Sequence, residues 1–313
     1  MDNNRIKIAI GIITYKRPKG LEIAINSLLK QKFNKNLKPE LSIIIVDNDE
    51  NESAFSIVNK ISKNTKINII YAVEYNRGIP YARNKVVELS KSNNLLAFID
   101  DDEYAENNWL DELLYVKKKY NADIVSGPVY PIFNNTTYHW LKKENFHDRR
   151  RYHNGEMIES AATNNVLFSI HILKSFFPPF DVNFGLNGGD DTFFFKKIKS
   201  YNYKIIWAEF AIVNENIPDS RVSYRWLLRR SYRIGNSLAF MDRYFEPSLY
   251  KYFIRLLKIN YRIIGGVLIF IPSVCFFYKK YILISLQFLF KGFGMISGLF
   301  GVLYKEYKFI HGS

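Results

Sequence analysis

Four consecutive acidic residues, Asp100 to Glu103, directly follow the apolar run Leu95–Ile99. Five apolar residues in succession predict a strand that is covered on both faces, because such a strand needs no polar alternation. Carboxylates crowded at the end of that strand repel one another, and Mg²⁺ or Mn²⁺, which prefers hard oxygen ligands, would offset the repulsion. The alternative is a solvated acidic loop that caps the helix predicted to begin near Asn107–Trp109, since acids favour helix N-termini.

Polar residues also follow three other predicted strands. Thr14 and Tyr15 come after the first strand, Asp47 ends the second, and Asn76–Gly78 with Arg83 follow the third. Ligands of open α/β sheets bind at the carboxyl ends of the strands, so these residues are expected at one edge together with the acidic run. Their types fit a nucleoside diphosphate: Tyr15 can lie against a base, Asp47 can accept from its edge, and Arg83 can counter phosphate charge.

Each of these residues also has an interpretation that involves no ligand. Tyr15 could be a half-buried aromatic, Asp47 a turn acid and Arg83 a surface helix residue. The sequence has no GxxxxGK[ST] motif and no GxGxxG after the first strand, which excludes a P-loop and a dinucleotide-binding fingerprint. The metal would therefore hold the diphosphate.

Two adjacent aspartates, Asp190 and Asp191, follow a glycine pair and precede a helix predicted over Thr192–Ser200. An aspartate at a helix start is commonly a cap. A carboxylate beside another acid and partly desolvated also has a raised pKa, which suits a general base. Both interpretations remain open on the residues alone.

The elements that would position these residues alternate along the chain. Strands are predicted at Lys7–Ile13, Leu41–Val46, Ile67–Val73, Leu95–Ile99, Asp123–Val125, Ile205–Trp207 and Ala211–Val213. Helices are predicted at Pro18–Gln31, Glu52–Ser62 and Tyr81–Ser90. This alternation is typical of βαβ units and a parallel sheet, and the fold class is α/β.

Six motifs and the spacing between them resemble those of family 2 glycosyltransferases, in particular the bacterial exopolysaccharide subset typified by succinoglycan-biosynthesis enzymes. They are I-T-Y-K-R-P, I-I-V-D-N-D, N-R-G-I-P-Y-A-R-N, F-I-D-D-D-E, T-N-N-V-L-F and F-G-L-N-G-G-D-D-T-F-F-F, and the resemblance extends from Lys7 to Gly235. It implies a GT-A fold, which is Rossmann-like with a mostly parallel sheet and flanking helices. It also implies a nucleotide-sugar donor, a divalent metal at a DxD motif, and inversion at the anomeric carbon.

The resemblance implies roles for single residues. Asp102 matches the direct metal ligand, and Asp100, the other acid of the motif, faces the nucleotide ribose. Asp191 aligns with the aspartate that deprotonates the acceptor hydroxyl, and Asp190 supports it where the family usually has glutamate. The whole predicted nucleotide-sugar site is Thr14, Tyr15, Arg17, Asp47, Asn76, Gly78, Arg83, Asp100 and Asp101.

The segment Thr136–Glu156 is long, aromatic and basic, with little periodicity. Such a loop in a compact domain is commonly functional, and we interpret it as a mobile lid, with Trp140 contacting the acceptor; a plain surface loop is the alternative. His139, His147 and His153 lack metal-ligand spacing and are interpreted as ordinary residues. Further along, Glu215 is a weak candidate for a third metal ligand.

Positive charge is concentrated in the C-terminal third. From Arg221 onward there are 15 lysines and arginines against three acids, so that region carries 12 of the 14 net positive charges. Arg221, Arg225, Arg229 and Arg233 recur every fourth residue and would share one helix face. Like charges at this spacing repel, so the row predicts an anionic partner, either lipid headgroups or the diphosphate of a lipid-linked acceptor. A merely solvated face is the alternative.

Two apolar stretches follow, Ile263–Tyr278 without charge and Tyr281–Tyr304 with only Lys291. A spanning helix needs about 20 apolar residues, and the first stretch is shorter and contains Pro272. A spanning hairpin would place Lys279 and its lysine neighbour on the outer face, against the positive-inside tendency. We therefore predict a re-entrant or interfacial helical pair. A buried hairpin would need a partner surface that the chain barely offers.

These observations predict a catalytic domain at residues 1–220 and a membrane-associated helical region at 221–313. The only cysteine, Cys275, cannot form an intrachain disulfide, and Ile8–Ile13 is too short for a signal peptide, so the cytoplasmic face of the bacterial inner membrane is expected. The predicted activity is transfer of a UDP-linked sugar to a lipid-linked saccharide.

Three other functions are less well supported. A nucleotidyltransferase usually carries a glycine-rich basic loop that the sequence lacks. An inactive sugar-nucleotide- or lipid-binding protein disagrees with the intact DxD motif. A nucleic-acid binder would carry its basic patch on the folded domain rather than beside its most apolar segments.

Overall fold

The computed structural model describes residues 5–34, 39–133, 139–144, 146–185, 187–245 and 248–304. Within these ranges the strands are β1 (Lys7–Thr14), β2 (Glu40–Asp47), β3 (Asn68–Val73), β4 (Leu95–Ile99), β5 (Glu103–Ala105), β6 (Ile124–Ser126), β7 (Val129–Phe133), β8 (Asn165–Ser169), β9 (Ile205–Trp207) and β10 (Val213–Ile217). The α-helices are α1 (Pro18–Leu28), α2 (Phe55–Ser62), α3 (Ile79–Leu89), α4 (Trp109–Tyr120), α5 (His139–Lys143), α6 (Ile170–Ser175), α7 (Asp190–Ile198), α8 (Tyr224–Phe245), α9 (Leu249–Cys275) and α10 (Lys279–Leu299). The predicted alternation of strands and helices through β4 is confirmed.

The main sheet has seven strands in the order β3-β2-β1-β4-β8-β6-β9. β1 pairs in parallel with β2 and β4, and β2 pairs in parallel with β3. In this register Thr14 lies beside Asp47, which lies beside Val73. The carboxyl ends of these three strands are level, so the polar residues that follow them meet at one edge of the sheet.

β8 runs antiparallel to both of its neighbours, β4 and β6. The sequence prediction did not include this strand. All five of its residues are buried, and a strand covered on both faces shows no alternating pattern to identify it. Its first residue, Asn165, accepts a hydrogen bond from the indole of Trp109 and donates to the carbonyl oxygens of Pro128 and Ala211, which fixes the segments around the sheet edge.

A second sheet of three strands, in the order β5-β10-β7, adjoins the acidic run. β10 extends over Val213–Ile217, so the predicted strand at Ala211–Val213 was wrong in its bounds. The residues at the centre of β10 are polar, so the sequence shows no apolar run there that would predict a strand. β5 and β10 are antiparallel and bring Glu103, the last acid of the run, opposite Glu215, so Glu215 lies beside the acidic run.

Side chains of β1 pack on both faces of the main sheet. Ile8, Ile10 and Ile12 join a core layer with residues of α1 and α4, whereas Ala9 joins the opposite layer with residues of α3 and α7. Continuous apolar runs are expected of strands covered on both sides. The core therefore holds the strand ends rigidly at the edge where the polar residues collect.

The three C-terminal helices pack against one another. α10 lies parallel to α8, with Gly294 against the carbonyl oxygen of Tyr232 and Gly298 against that of Asn236. It lies antiparallel to α9, where Tyr261 contacts Phe288. α8 thus supplies a surface that buries much of α10. The sequence interpretation, in which the chain barely offered such a surface, was wrong on this point.

Candidate active site

A pocket of about 260 Å³ opens at the carboxyl edge of the main sheet. Side chains from the ends of β1 and β2, the start of α3, the acidic run, β10 and α8 line it. The sequence-predicted residues on its wall are Thr14, Tyr15, Arg17, Gly78, Arg83, Asp100, Asp101, Asp102, Glu215 and Arg233. The convergence of strand ends therefore brings most of the predicted residues together.

The acidic run is held by hydrogen bonds and ion pairs from opposite sides. The Thr14 hydroxyl donates to Asp101 at 2.8 Å, and Arg17 lies 3.0 Å from Asp101 and 3.1 Å from Asp102. Burial raises the pKa of Asp101 to about 6, against the opposing effect of Arg17. The carboxylates are thus crowded, as the sequence suggested, and nearby arginines offset part of their repulsion.

Glu103 stabilises the backbone of the acidic run through hydrogen bonds. Its buried carboxylate accepts hydrogen bonds from the backbone N–H of Asp100 at 3.0 Å and from the amide of Asn164 at 2.6 Å. Burial raises its pKa well above the ordinary value, and the neighbouring carboxylates act in the same direction. Glu103 therefore orients the backbone that carries Asp100 and does not line the pocket itself.

Asp102 and Glu215 converge on one atom. Nη1 of Arg221 lies 3.3 Å from an oxygen of Asp102 and 3.1 Å from an oxygen of Glu215. Two carboxylates that already share one cationic atom fit Mg²⁺ or Mn²⁺, which commonly binds one or two carboxylates and completes its shell with water and phosphate oxygens. Among the described residues, no three His, Cys, Asp or Glu form a closed ligand set. The site is therefore suited to a cation that arrives with a phosphate ligand.

The opposite end of the pocket has the features of a nucleotide site. The guanidinium of Arg77 lies 4.9 Å from the ring centroid of Tyr15, which leaves a flat, cationic wall. Gly78 has a φ of +151°, and a β-carbon there would press against Gly185, so this turn needs glycine. Asn48 fixes the turn, since its side chain accepts from the Gly78 N–H and donates to the Asn76 carbonyl oxygen.

Two predicted nucleotide-binding residues lie outside the pocket wall. Asp47 is buried and accepts hydrogen bonds from the N–H groups of Asp49 and Ala54 and from the Tyr71 hydroxyl. A carboxylate has about four acceptor positions, so these bonds leave one. Asn76 is exposed, and its side chain donates to Glu74. Base binding by Asp47 and nucleotide-sugar binding by Asn76 stay predictions.

The aspartate pair divides between two environments. Asp190 is buried and lies 2.7 Å from Arg83, which also faces Asp100 at 3.8 Å. Burial lowers the pKa of Arg83, but the neighbouring carboxylates outweigh burial, and the net shift is upward. Asp191 is half-buried at the start of α7, where its carboxylate accepts from the N–H of Thr192. Asp190 thus anchors an arginine of the pocket, and Asp191 is the more accessible carboxylate.

The predicted arginine row is only partly correct. Arg221 precedes α8 and binds the acidic run, so it is not a member of the helical row. Arg225 and Arg229 are exposed on α8, whereas Arg233 lines the pocket. Consecutive arginines of the row are four residues apart, which corresponds to one full helical turn plus about 40°. This rotation carries Arg233 from the exposed face to the pocket.

Part of the predicted lid lies outside the described residues, namely 136–138 and 145. The described part contains α5 and brings His147 and Arg149 into the pocket. Arg149 lies 2.6 Å from Glu215. The interpretation of His147 as an ordinary residue rather than a metal ligand stays a prediction, although the residue lines the pocket. Trp140 packs against Phe146 and the ring of Tyr224 instead of lining the pocket, and its contact with an acceptor stays a prediction.

Six of the polar or aromatic lining residues were not among the sequence-predicted site residues: Asn48, Arg77, His147, Arg149, Trp226 and Arg230. Asn48 and Arg77 lie inside the quoted motifs, so their neighbours could have indicated them. The other four come from the segment after α5 and from α8, and no local pattern relates those segments to the acidic run. Tertiary packing alone identifies them.

Comparison with known proteins agrees with this geometry. Residues 9–177 match the sequence profile of the family described as Glycosyl transferase family 2. The succinoglycan biosynthesis protein ExoM of Rhizobium meliloti (strain 1021) is 30% identical over 237 residues, which cover 76% of this chain and 75% of ExoM. The glucosyl-dolichyl phosphate glucuronosyltransferase of Haloferax volcanii is 25% identical over 253 residues, 76% of this chain and 78% of that protein.

Solved structures share the fold at low sequence identity. The mannosyltransferase PcManGT of Pyrobaculum calidifontis, in complex with GDP-Man and Mn²⁺, superposes with a TM-score of 0.65 at 14% identity over 96% of this chain and 88% of that one. S. aureus TarS in complex with UDP superposes with a TM-score of 0.53 at 14% identity, covering 96% and 93%. The predicted GT-A fold is confirmed, and the chain belongs to glycosyl transferase family 2.

Proposed function

We propose that this protein moves a sugar from a nucleotide-sugar donor, UDP-linked by preference, to a lipid-linked saccharide in bacterial surface polysaccharide synthesis. The observation that carries the proposal is that one pocket contains the Tyr15–Arg77 wall, the acidic run and Arg83. The name of ExoM supports a role in polysaccharide synthesis. The name of the Haloferax relative, whose substrate is a glucosyl-dolichyl phosphate, supports a lipid-linked acceptor.

In this proposal Asp102 and Asp100 would hold Mn²⁺ or Mg²⁺, with Glu215 close to Asp102 through their shared contact with Arg221. A cation there would neutralise charge on the departing nucleoside diphosphate. Arg83, held in place by Asp190, faces the same charge from the other side. The chain thus binds the donor diphosphate between a carboxylate-held cation and a fixed guanidinium.

Asp191 is the proposed general base. Its carboxylate takes the proton from the acceptor hydroxyl, and the freed oxygen forms a bond to the anomeric carbon while the bond to the diphosphate breaks. Attack opposite the leaving group inverts that carbon. The position of Asp191 at the N-terminus of α7 and its partial exposure support access to an acceptor.

The test is a screen of UDP- and GDP-linked sugars for thermal stabilisation of the full chain with and without Mn²⁺, followed by transfer to a lipid-linked saccharide. A ligand that binds only the native state raises the melting temperature. We expect Mn²⁺-dependent stabilisation by one nucleotide class. Absence of stabilisation by every nucleotide sugar would contradict the proposal.

We further propose that α9 provides the membrane contact. Among the described residues α10 is the one helix long and apolar enough to cross a membrane, but 39% of its most apolar 18-residue window is buried. α9 instead carries an outward apolar stripe, with Leu257, Ile264, Leu268 and Ile271 between 49% and 66% exposed. No acidic residue occurs in the chain between Glu246 and Glu306, which suits an anionic bilayer.

This contact is testable by co-sedimentation with phosphatidylglycerol vesicles. The variant Ile264→Gln/Leu268→Gln/Ile271→Gln should lose most vesicle binding, because burial of these side chains in the interface drives association. Phe210→Gln, at an apolar residue 52% exposed outside the C-terminal helices, is the matched control. Unchanged vesicle binding together with a shift from dimer to monomer would assign the stripe to a second copy of the chain and contradict the membrane contact.

A further inference from the structure

The pocket wall is rich in arginine. Among the described residues, seven arginines and four carboxylates line it. Outside the wall, Asp190 pairs with Arg83 at 2.7 Å, and the negative charge of Glu103 acts on Arg149. The lining arginines are Arg17, Arg77, Arg83, Arg149, Arg221, Arg230 and Arg233.

Arg230 differs from the arginines that pair with these carboxylates. Its side chain is half-buried, and the described residues provide no carboxylate within 4 Å of it. The guanidinium lies 5.1 Å from the ring centroid of Trp226. Burial and the like charges of Arg149 and Arg233 lower the pKa of Arg230 to about 10. A half-buried cation among like charges reduces stability, so a role outside folding is the economical explanation.

Unpaired polar atoms lie beside this cation. The rings of His147 and Trp226 stack at 5.6 Å with an interplanar angle of 9°. Nε2 of His147 lies 3.1 Å from the Arg221 carbonyl oxygen and must carry the proton there, but Nδ1 of His147 and Nε1 of Trp226 are both buried and have no hydrogen-bond partner among the described residues. Buried polar atoms are normally satisfied, and an indole N–H can only donate. The Trp226 N–H therefore lacks an acceptor that a ligand could supply.

We propose that Arg230, Arg233 and Trp226 bind a phosphate group of the acceptor, in a subsite separate from the donor diphosphate. The proposal rests on the proposed glycosyl transfer and specifies its acceptor as an anion. The nucleotide end lies at Tyr15 and Gly78, whereas this subsite is built from α8. α8 packs against α10, and α10 packs against α9, so packed helices connect the subsite to α9, the helix proposed to contact the membrane. Guanidinium pairs with phosphate oxygens in a bidentate manner, and the indole N–H adds a third donor.

The test uses Arg230→Gln in the full chain, with Arg150→Gln as the matched control because Arg150 is an exposed arginine outside the pocket wall. Three quantities are measured: UDP affinity with Mn²⁺, the KM for a saccharide on a lipid diphosphate, and the KM for the same saccharide on an uncharged alkyl aglycone. We expect Arg230→Gln to raise only the KM for the diphosphate acceptor, by about tenfold or more, as for loss of a hydrogen bond to a charged group. Arg150→Gln should change none of the three.

Two results would overturn the subsite. A loss of UDP affinity in Arg230→Gln equal to the rise in KM would assign the arginine to the donor diphosphate. An equal KM for both acceptors in wild type and variant would mean that no acceptor phosphate binds there. The melting temperature separates binding from packing: removal of an unpaired cation should leave it unchanged or higher, and a lower value with unchanged KM would make Arg230 a packing residue.

A further measurement separates this inference from the proposed function. Inorganic diphosphate is titrated into the full chain in EDTA, so that neither nucleotide nor metal takes part. Binding to wild type and to Arg150→Gln, but about tenfold weaker binding to Arg230→Gln, would support the subsite even if no nucleotide sugar stabilised the protein. Equal binding to all three proteins would reject the subsite even if glycosyl transfer were found.

Discussion

The four acids that end β4 differ in their partners. Asp101 is tied to Thr14 and Arg17, Asp102 faces two arginines, and Glu103 is turned inward to Asn164. A run of like charges at the end of a buried strand is tolerated because every one of these carboxylates has a hydrogen-bond donor or an arginine beside it. Both arginines of Asp102 contact the same oxygen, Oδ2.

Asp102→Asn tests the metal assignment. An amide is a poorer ligand for a hard cation than a carboxylate, so the Mn²⁺-dependent part of UDP affinity should be lost. The fold should survive, because Arg17 retains Asp101 and Arg221 retains Glu215. Calorimetric titration of UDP with Mn²⁺ and with EDTA measures the effect, and Glu159→Gln, at an exposed acid, is the control. Unchanged Mn²⁺-dependent affinity would remove Asp102 from the metal site.

Asp191→Asn tests the general base. Donor affinity should be retained, while turnover falls on the order of a hundredfold, since asparagine cannot accept the acceptor proton. Single-turnover transfer and UDP titration separate the two effects. Asp190→Asn is expected to behave differently, because it leaves Arg83 buried without its partner and should lower the melting temperature. Turnover of Asp191→Asn within a few-fold of wild type would place the base elsewhere.

Two faces of helix α8 make different contacts. One face brings Trp226, Arg230 and Arg233 to the pocket, and the other packs closely against α10. A β-carbon at Gly235 would overlap the Lys291 carbonyl oxygen, and one at Gly294 would overlap that of Tyr232. The absence of side chains at these glycines lets the two backbones approach. The position of the pocket arginines therefore depends on the α8–α10 contact.

Gly294→Ala should weaken that contact. The added methyl group forces the helices apart, which typically costs about 1–3 kcal/mol in the free energy of unfolding. Gly265→Ala is the matched control, because a β-carbon there meets only the Phe288 ring at 3.7 Å or more. Alanine has the higher helix propensity, so the control should be stabilised by about 0.5–1 kcal/mol. Thermal and denaturant melts measure both, and equal stabilisation of the two variants would contradict the close contact.

At the scale of the whole molecule, charge and apolar surface lie together in the C-terminal third. The exposed arginines of α8, Arg225 and Arg229, lie outside the pocket, and α9 carries the exposed apolar stripe. An anionic bilayer is the partner that both features fit. The domain division near residue 220 is thus not a division of function, because α8 belongs to the helical region and also lines the pocket.

Arg225→Gln/Arg229→Gln tests the electrostatic share of membrane binding. Each basic residue near an anionic surface contributes about 1 kcal/mol, so binding to phosphatidylglycerol vesicles at low salt should fall on the order of tenfold. The difference should shrink at high salt, where screening is stronger, and vanish on uncharged vesicles. Glutamine retains helix propensity, so UDP affinity should not change. Equal vesicle binding at low salt would leave both arginines as solvated residues.

The sequence by itself determined the α/β alternation and the edge at which the polar residues collect. Apolar runs of strand length and helices between them dictate parallel pairing, and parallel pairing brings the carboxyl ends of strands together. Thr14, Arg83 and Asp102 could therefore be placed at one site from local pattern alone. The acidic run was informative because unfavourable crowding of charge has few explanations other than function.

Only the tertiary structure decided what closes the pocket. His147, Arg149 and Arg230 come from segments with no regular relation to the main sheet, and long-range contacts such as the His147–Trp226 stack set their positions. The same holds for the apolar helices, since composition favours α10 for the membrane whereas packing buries much of it and leaves α9 exposed. An apolar sequence indicates that its side chains avoid water. Whether protein or lipid covers those side chains depends on which elements the fold packs against them.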